Sequence, residues 1–461
     1  MDSDLRDQLS SAVNGRVTFA GAHHPDDLHD ESLHPHPAEP LCVARPRSTE
    51  EVAALVRLAA EHGLNVTPRG SGTGLSGGAS PVEGGLVIAF DQMNQLLHLD
   101  EANLTAVVQP GITLRELDEK LAGTGLQYPV YPGEMSGSLG GNVNTNAGGM
   151  RAVRHGVTRH HVLGLEVVLM DATVLRIGGP VVKSSSGYDL TQLIIGSEGT
   201  LALVTEVTLK LSPRLPHAAT LLAPFADVRA VTALVPDLLR GGLAPSILEY
   251  LDVLTMAGVT RAAELSLGIP DDLAATALAY LVIVLETRTA EQLELDLAAA
   301  AELVTAAGAL DVYVLQPGVA AQLIEARERA FWTAKAAGAH EILDVVVPRA
   351  SVPDFLEEAA RLASAHGVFL SGCGHVGDGN VHMSVFQPDE TARAAFLADL
   401  FADGVRRGGA VSGEHGLGVD KRGAYLTLAD PALVDLQRRI KSVFDPEGRL
   451  NPYRHLDPRG L

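Results

Sequence analysis

Between positions 201 and 211 apolar and polar side chains alternate, with Leu201, Leu203, Thr205, Val207, Leu209 and Leu211 on one parity. A period of two marks a β-strand with one face in a core, because successive side chains of an extended chain point to opposite sides. Shorter β-branched and aliphatic runs at 86–90, 104–108, 165–170 and 174–177 are bounded by glycine-rich turns and predict further strands. Ahead of them, Ser48-Thr-Glu-Glu51 has the spacing of a capping box and opens a helix that runs to Gly63. Val66 then starts a short strand expected to stop at Pro68. Pro213 and Pro216 end this strand-rich half.

The pattern changes after position 216. Stretches rich in Ala and Leu at 290–307 and 323–337 carry helical spacing and are separated by short strand-like runs. The expected fold class is α+β in two domains, 1–215 and 216–443, followed by a turn-rich tail at 444–461. An antiparallel sheet backed by helices is expected in the second domain. The first forty residues are polar and carry His23, His24, His29, His34 and His36. They read as a loosely packed leading segment, with a metal-binding tract as the alternative.

Composition narrows the partners. The chain has 461 residues, too many for one ordinary core, and a net charge of −21 from 35 Lys and Arg against 56 Asp and Glu. That charge argues against nucleic acid and anionic membranes, while leaving room for a local basic site. Residues 1–8 are charged and lack the apolar run of a signal peptide, and no stretch is long and apolar enough to span a bilayer. Cys42 and Cys373 are far apart in sequence and read as free thiols of a reducing compartment, so a cytoplasmic location is expected. A homodimer is the default oligomer.

Two constellations carry chemistry. The first is a set of three glycine-rich segments: Arg69-Gly-Ser-Gly-Thr-Gly-Leu-Ser-Gly-Gly78, the stretch 132–149, and Gly187-Tyr-Asp-Leu running on to Gly196-Ser-Glu-Gly-Thr200. Glycine lets main-chain N–H groups curl around an anion. A Gly-x-Gly-x-x-Gly spacing occurs at Gly72, Gly74 and Gly77, but no acidic residue follows at the distance that takes a ribose, and the Lys-Ser/Thr ending of a triphosphate loop is missing. Several separate loops suit a cofactor laid across a domain. The second constellation is Gly374-His-Val-Gly-Asp-Gly-Asn-Val-His382 with Ser412-Gly-Glu-His-Gly-Leu-Gly418. His375, His382 and Glu414 make a His₂/carboxylate set for zinc or a similar divalent ion, manganese included, and His415 is free to act as a base. Asp378, before Gly379, is read as a turn former and Cys373 as a small buried residue.

These segments resemble one family. Val66-Thr-Pro-Arg-Gly-Ser-Gly-Thr-Gly-Leu-Ser-Gly-Gly-Ala79, Gly140-Gly-Asn-Val-Asn-Thr-Asn-Ala-Gly-Gly149 and Gly187-Tyr-Asp-Leu-Thr-Gln-Leu-Ile-Ile-Gly-Ser-Glu-Gly-Thr200 are similar to the FAD-binding domain of the vanillyl-alcohol-oxidase/p-cresol-methylhydroxylase (PCMH) superfamily. The likeness is greatest to its branch of glycolate oxidases, D-lactate dehydrogenases and D-2-hydroxyglutarate dehydrogenases. It runs from about residue 30 to Pro452, and the Gly-His-x-Gly-Asp-Gly-Asn-x-His and Ser-Gly-Glu-His-Gly patterns extend it into the second domain. The resemblance implies a PCMH-type FAD-binding domain, a substrate domain, and a tail that returns to the first.

Position by position, it implies Pro68, Arg69, Gly70, Ser71, Gly72, Thr73, Gly74, Leu75, Gly77 and Gly78 around the FAD pyrophosphate. Pro132, Gly133, Ser138, Gly141, Asn142, Thr145, Asn146, Gly148 and Gly149, with Gly187, Tyr188, Glu198, Gly199 and Asn451, would line the rest of the cofactor. No His or Cys lies in 69–78, so the FAD is expected to be non-covalent. The metal ligands would be His375, His382 and Glu414, the base His415, and Asn380 a substrate or flavin contact. Two positions depart from the family. Lys335 stands where Arg commonly follows the tryptophan matching Trp332, and Ser384 where some relatives have Asn. Lysine is a point charge without the planar fork that grips a carboxylate.

The implied activity is oxidation of a small D-2-hydroxy acid, of the D-lactate or glycolate type, with D-2-hydroxyglutarate as the alternative. The metal would acidify the hydroxyl, His415 would take its proton, the hydride would pass to flavin, and Lys335 would pair with the carboxylate. Electrons would leave to a quinone, an electron-transfer protein or oxygen. A zinc hydrolase accounts for the metal set alone, and a non-redox FAD protein like the alkyl-glycerone-phosphate synthases accounts for the loops alone.

Overall fold

The computed structural model describes residues 3–34 and 36–457. Residues 1–2 of the leading segment and 458–461 of the expected tail lie outside them.

The strand-rich half builds two larger sheets and a small two-stranded one, Leu126–Gln127 with Ser212–Pro213. Val66–Arg69 and Cys42–Ala44 flank Leu86–Ala89 in parallel, and Val17–Phe19 joins the edge. The first strand continues through Pro68 to Arg69 instead of stopping at the proline. An edge position makes this cheap, since proline there costs no ladder bond to an inner neighbour. A separate antiparallel sheet is ordered Leu96–Asp100, Thr105–Val108, Leu203–Lys210, Val162–Val168, Val174–Gly178. Its central strand Leu203–Lys210 buries Leu203, Thr205, Val207 and Leu209, the parity read from the alternation. Leu104 is a turn residue with φ 55°, so its strand starts one residue later than expected.

Thr49–His62 is a helix capped by Ser48 Oγ on the Glu51 N–H and ended by Gly63 at φ 68°. The capping box is half made. The Glu51 carboxylate turns outward to the Arg47 N–H and Arg16 instead of the Ser48 N–H. The leading segment is not loosely packed. It forms the helix Ser3–Ala12, which buries Leu5 and Leu9, and its later part is pinned by Glu31 to Lys335, Ser32 and His36 to Asp420, and His34 to Glu341. Each of its five histidines makes a hydrogen bond through a ring nitrogen.

The second half is one seven-stranded antiparallel sheet. Its order runs Tyr313–Val314, His217–Phe225, Ala279–Thr287, Ile247–Asp252, Phe369–Gly374, Asn380–Phe386, Glu341–Val346. Helices Ala290–Ala306, Val352–His366 and Glu390–Arg406 supply apolar faces to its core. The expected continuous helix at 323–337 is two helices, Pro317–Glu328 and Ala330–Ala336, broken at Arg329 (φ −83°, ψ 7°). The break redirects Phe331 and Trp332 into a cavity between the two halves. The chain after Phe444 comes back to the first sheet: Leu450 bridges Val66 in parallel, and the Asn451 N–H donates to the Val66 carbonyl at 2.7 Å.

Candidate active site

One cavity of about 470 Å³ lies where the halves meet. Into it converge all of 68–75 and Gly78; Pro132, Gly133, Ser138, Gly141, Asn142, Thr145 and Gly148; Glu198, Gly199 and Asn451; and His375, His382, Glu414 and His415.

The remaining expected residues lie elsewhere. Gly77 lets His36 and Val419 close in. Asn146 ends the helix Leu139–Thr145 in the left-handed region, and a side chain at Gly149 would run into the Tyr131 carbonyl. Gly187 is exposed and Tyr188 is 97% exposed, away from the cavity wall. Lys335 pairs with Glu31 at 3.0 Å and lies over the Trp332 ring instead of facing the cavity. Asn380 is packed under the turn at Gly413, with its Oδ1 buried and unpartnered.

At the glycine-loop end, the main-chain N–H groups of 72–78 donate no hydrogen bond among the described residues, whereas Ser71 and Ala79 on either side are bound by Ser138 and Asp30. Ser76 and Gly77 are buried, where amides almost always find an acceptor. A run of free amides curled by Gly72 (φ 76°) and Gly77 (φ 75°) is an anion nest of the kind a diphosphate fills. Close packing depends on the missing side chains, since a Cβ on Gly70 would lie 2.1 Å from Ser138 Oγ. Asn142 Nδ2 in the same wall is buried without a partner, a donor suited to a cofactor oxygen. These residues fit a flavin dinucleotide.

The other end is built on four neighbouring strands of the second sheet. His375 follows Phe369–Gly374, and His382 sits on Asn380–Phe386 directly opposite Asp344 of Glu341–Val346. Glu249 comes from Ile247–Asp252. Glu414 Oε1 lies 3.1 Å from His375 Nε2 and 3.3 Å from His382 Nε2. Ligand bonds of about 2.1 Å place neighbouring ligand atoms about 3.0–3.4 Å apart at octahedral or tetrahedral angles, so this donor set fits a divalent ion. His375 Nδ1 meets the fully buried Glu249 at 2.5 Å, the carboxylate support that orients a ligating imidazole. Burial opposes a charge on His375, yet Glu249 and Glu414 hold it well above its ordinary value, so the spot favours a cation. Asp378 accepts from the Asn380 N–H at 3.3 Å in a turn and stands outside the converging donors, as does Cys373.

His415 stacks on His382 (centroids 5.3 Å, planes 11° apart), with Nδ1 3.9 Å from Asp344 Oδ2. Burial holds its pKa down to about 4, which leaves a neutral imidazole able to accept a proton. The loop carrying Glu414 and His415 is wrapped around Asp344, whose Oδ2 accepts from Ser412 Oγ at 2.7 Å and from the N–H groups of Gly413, Glu414 and His415 at 3.0, 3.0 and 2.8 Å.

Sequence reasoning missed Glu249, Asp344 and Arg327. The buried Arg327 borders the cavity and pairs with Glu249 at 2.8 Å. A signal existed for two of them: Glu249 and Asp344 are lone acids inside apolar strand runs, where a buried carboxylate needs a purpose.

Comparison with known proteins supplies the family. Residues 40–178 match the FAD binding domain and residues 214–455 the C-terminal domain of FAD linked oxidases. The chain is 54% identical to an uncharacterized FAD-linked oxidoreductase of Mycobacterium tuberculosis over 98% of each. It is 35% identical to the glycolate oxidase subunit GlcD of Bacillus subtilis, over 90% of this chain and 88% of that one. Among solved structures it superposes on 4-ethylphenol oxidase from Gulosibacter chungangensis with a TM-score of 0.79, over 99% of this chain and 97% of that one at 19% identity. The fold is thus the two-domain PCMH type, and its bearer is an oxidoreductase. More narrowly, the chain belongs to the FAD-linked oxidase family.

Proposed function

We propose that this enzyme oxidises a D-2-hydroxy acid to the 2-oxo acid, using non-covalent FAD and a divalent ion, zinc or manganese, held by His375, His382 and Glu414. One observation carries the reading: a single cavity joins the free amides of 72–76 and 78 to a His₂/Glu triangle beside a neutral imidazole. When bound, FAD supplies a two-electron acceptor and the ion polarises the substrate hydroxyl.

The chain supplies position and proton transfer. His415 takes the hydroxyl proton at Nε2, because its Nδ1 faces Asp344. Asp344 then steadies the imidazolium so formed, at 3.9 Å. Glu249 fixes the ring of His375, and Arg327 places positive charge in the wall for the substrate carboxylate. This last role passes from Lys335 to Arg327 because Arg327 borders the cavity and Lys335 does not. The name of the Bacillus subtilis relative, a glycolate oxidase subunit, supports a 2-hydroxy acid as substrate class. The two cysteines are buried and free, which fits a cytoplasmic enzyme. Electrons leave to a quinone, a protein carrier or oxygen.

The test is anaerobic bleaching of the flavin band by 2-hydroxy acids. The His415→Ala variant should lose about 100-fold or more in reduction rate, the range of a general base, while retaining FAD. Near-normal reduction removes His415 from the mechanism. A hydrolytic reading leaves the amides of 72–78 without a ligand and predicts a colourless protein.

A further inference from the structure

Two strands run outward from the candidate metal centre with matching faces. On Asn380–Phe386, His382, Ser384 and Phe386 share one parity and point to one side. On Phe369–Gly374, the positions opposite them are Cys373, Ser371 and Phe369. All six border the cavity. The face therefore grades from a metal-ligand imidazole, through a pair of small serines, to a pair of aromatic rings with centroids 5.6 Å apart. Four residues of strand place the aromatic end about 13 Å from His382.

The aromatic end is an apolar pocket open to water. Leu254, Trp332 and Phe369 are 47%, 42% and 55% exposed, and all three border this cavity. Phe331 stands edge-on to Trp332 at 5.2 Å. Apolar side chains left exposed together, in a concave site, mark a surface that a ligand covers. Cations are scarce there. Among the described residues only Arg69 and Arg327 bring a permanent positive charge to the cavity wall. Arg69 lies under the glycine loop and donates to the Asp26 carbonyl; Arg327 is tied to Glu249. Lys335, which lies over the Phe331 and Trp332 rings, is paired with Glu31.

From this we infer that the substrate is a 2-hydroxy monocarboxylate with a long aliphatic or aryl side chain, whose head lies at His382 and whose tail runs over Ser371 and Ser384 to Phe369, Phe386 and Trp332. The inference rests on the 2-hydroxy acid reading above and names the side chain that reading leaves open. Lactate and glycolate fill only the head of the site. A second carboxylate, as in 2-hydroxyglutarate, would meet aromatic rings and no free cation, losing part of its hydration with no partner to offset the loss.

The holoenzyme is titrated anaerobically with both enantiomers of lactate, 2-hydroxybutyrate, 2-hydroxyhexanoate, 2-hydroxyoctanoate, 3-phenyllactate and 2-hydroxyglutarate. Flavin bleaching gives kcat/KM, and emission of Trp332, the one tryptophan of the chain, reports occupation of the tail pocket directly. Each added methylene should raise kcat/KM by about two- to fourfold, the upper figure being full burial of a methylene. 3-Phenyllactate and 2-hydroxyoctanoate should shift Trp332 emission, and 2-hydroxyglutarate should fall below lactate. The Phe369→Ser and Leu254→Ser variants change exposed side chains, so they should fold, and each should lower the octanoate-to-lactate ratio by about fivefold. A flat or falling series, or a preference for 2-hydroxyglutarate, with lactate still bleaching the flavin, overturns the inference and leaves the reaction class standing. Failure of every 2-hydroxy acid to bleach the flavin removes the reaction class and the inference together.

Discussion

Asp344→Asn is the substitution that most directly tests how the site is held. The side chain keeps its shape and loses its charge. In the native protein one carboxylate oxygen accepts four hydrogen bonds, from Ser412 Oγ and three successive N–H groups, with Lys421 Nζ 3.8 Å away. Burial opposes this charge, but His415 and Lys421 hold the carboxyl well below its ordinary range. A hydrogen bond to a charged acceptor contributes about 1.5–3 kcal/mol, roughly twice a neutral one. Neutralising the acceptor therefore costs about 1 kcal/mol per bond, or about 4 kcal/mol. Relief of the buried charge offsets part of this, and the stranded Lys421 ammonium gives some of it back. The net should be about 3 kcal/mol, a fall of about 6–12 °C in the unfolding midpoint of the substrate half. Calorimetry measures it. The sign of the pH dependence is also set. A depressed carboxyl contributes stability above its unfolded value, near 3.9, and loses it only as pH falls through the folded value. The gap between native protein and variant should thus stay constant from about pH 5 to 8. A midpoint within about 1 °C of the native one would refute the reasoning.

Two further outcomes follow from neighbouring contacts. Glu249→Gln should weaken divalent-ion binding by about 10–100-fold, read by competition with a chromogenic chelator, because the His375 ring loses its carboxylate support and Arg327 its counter-charge. The leading segment should loosen as pH rises: the hydrogen bond to Glu341 raises the His34 pKa against the effect of burial, so the contact is complete below about 6.5 and is lost as pH climbs through the raised value. Proteolytic nicking near residues 29–37 should be faster at alkaline than at acid pH, with Glu341→Gln fast at both; equal rates in the native protein would exclude the contact as a clasp.

Much of the site was legible because its parts are close in sequence. His375 and His382 stand seven residues apart, Glu414 and His415 are adjacent, and the nest at 72–78 is one loop, so spacing alone grouped them. What supports them was not legible. Glu249 reaches His375 across 126 positions and Asp344 reaches the 412–415 loop across about 70, and only the sheet order makes them neighbours. Lys335 shows the reverse failure. Its place after Trp332 assigned it to a substrate carboxylate, but Glu31, 304 positions away, had already taken its charge. The sequence at 323–337 predicts one continuous helix because its Ala and Leu content favours helix on both sides of Arg329; the break is a tertiary choice, which turns two aromatic rings toward the cavity.

The segment 414–418 is held from both sides at once. From the substrate half, Asp344 gathers its first residues. From the cofactor half, Glu198, at φ 54°, accepts from the N–H groups of Leu417 and Gly418 at 2.8 and 2.7 Å, with His455 Nδ1 3.0 Å from the same carboxylate. Burial by itself would raise the Glu198 carboxyl; His455 and the two amides bring it below its ordinary value, so it too is charged. Between these anchors the halves touch through absent side chains: a Cβ on Gly148 would sit 2.8 Å from Glu414 Oε2, and one on Gly418 would overlap the Ser76 carbonyl. Two buried carboxylates, one from each half, therefore fix where Glu414 and His415 stand relative to the nest at 72–78. In the proposed reaction, proton removal at one end of the cavity and electron acceptance at the other need a fixed separation, and a misplacement of about 1 Å can cost about 100-fold in rate. That need gives a physical reason for burying two charges at a domain boundary, where apolar packing alone would join the halves without setting their register.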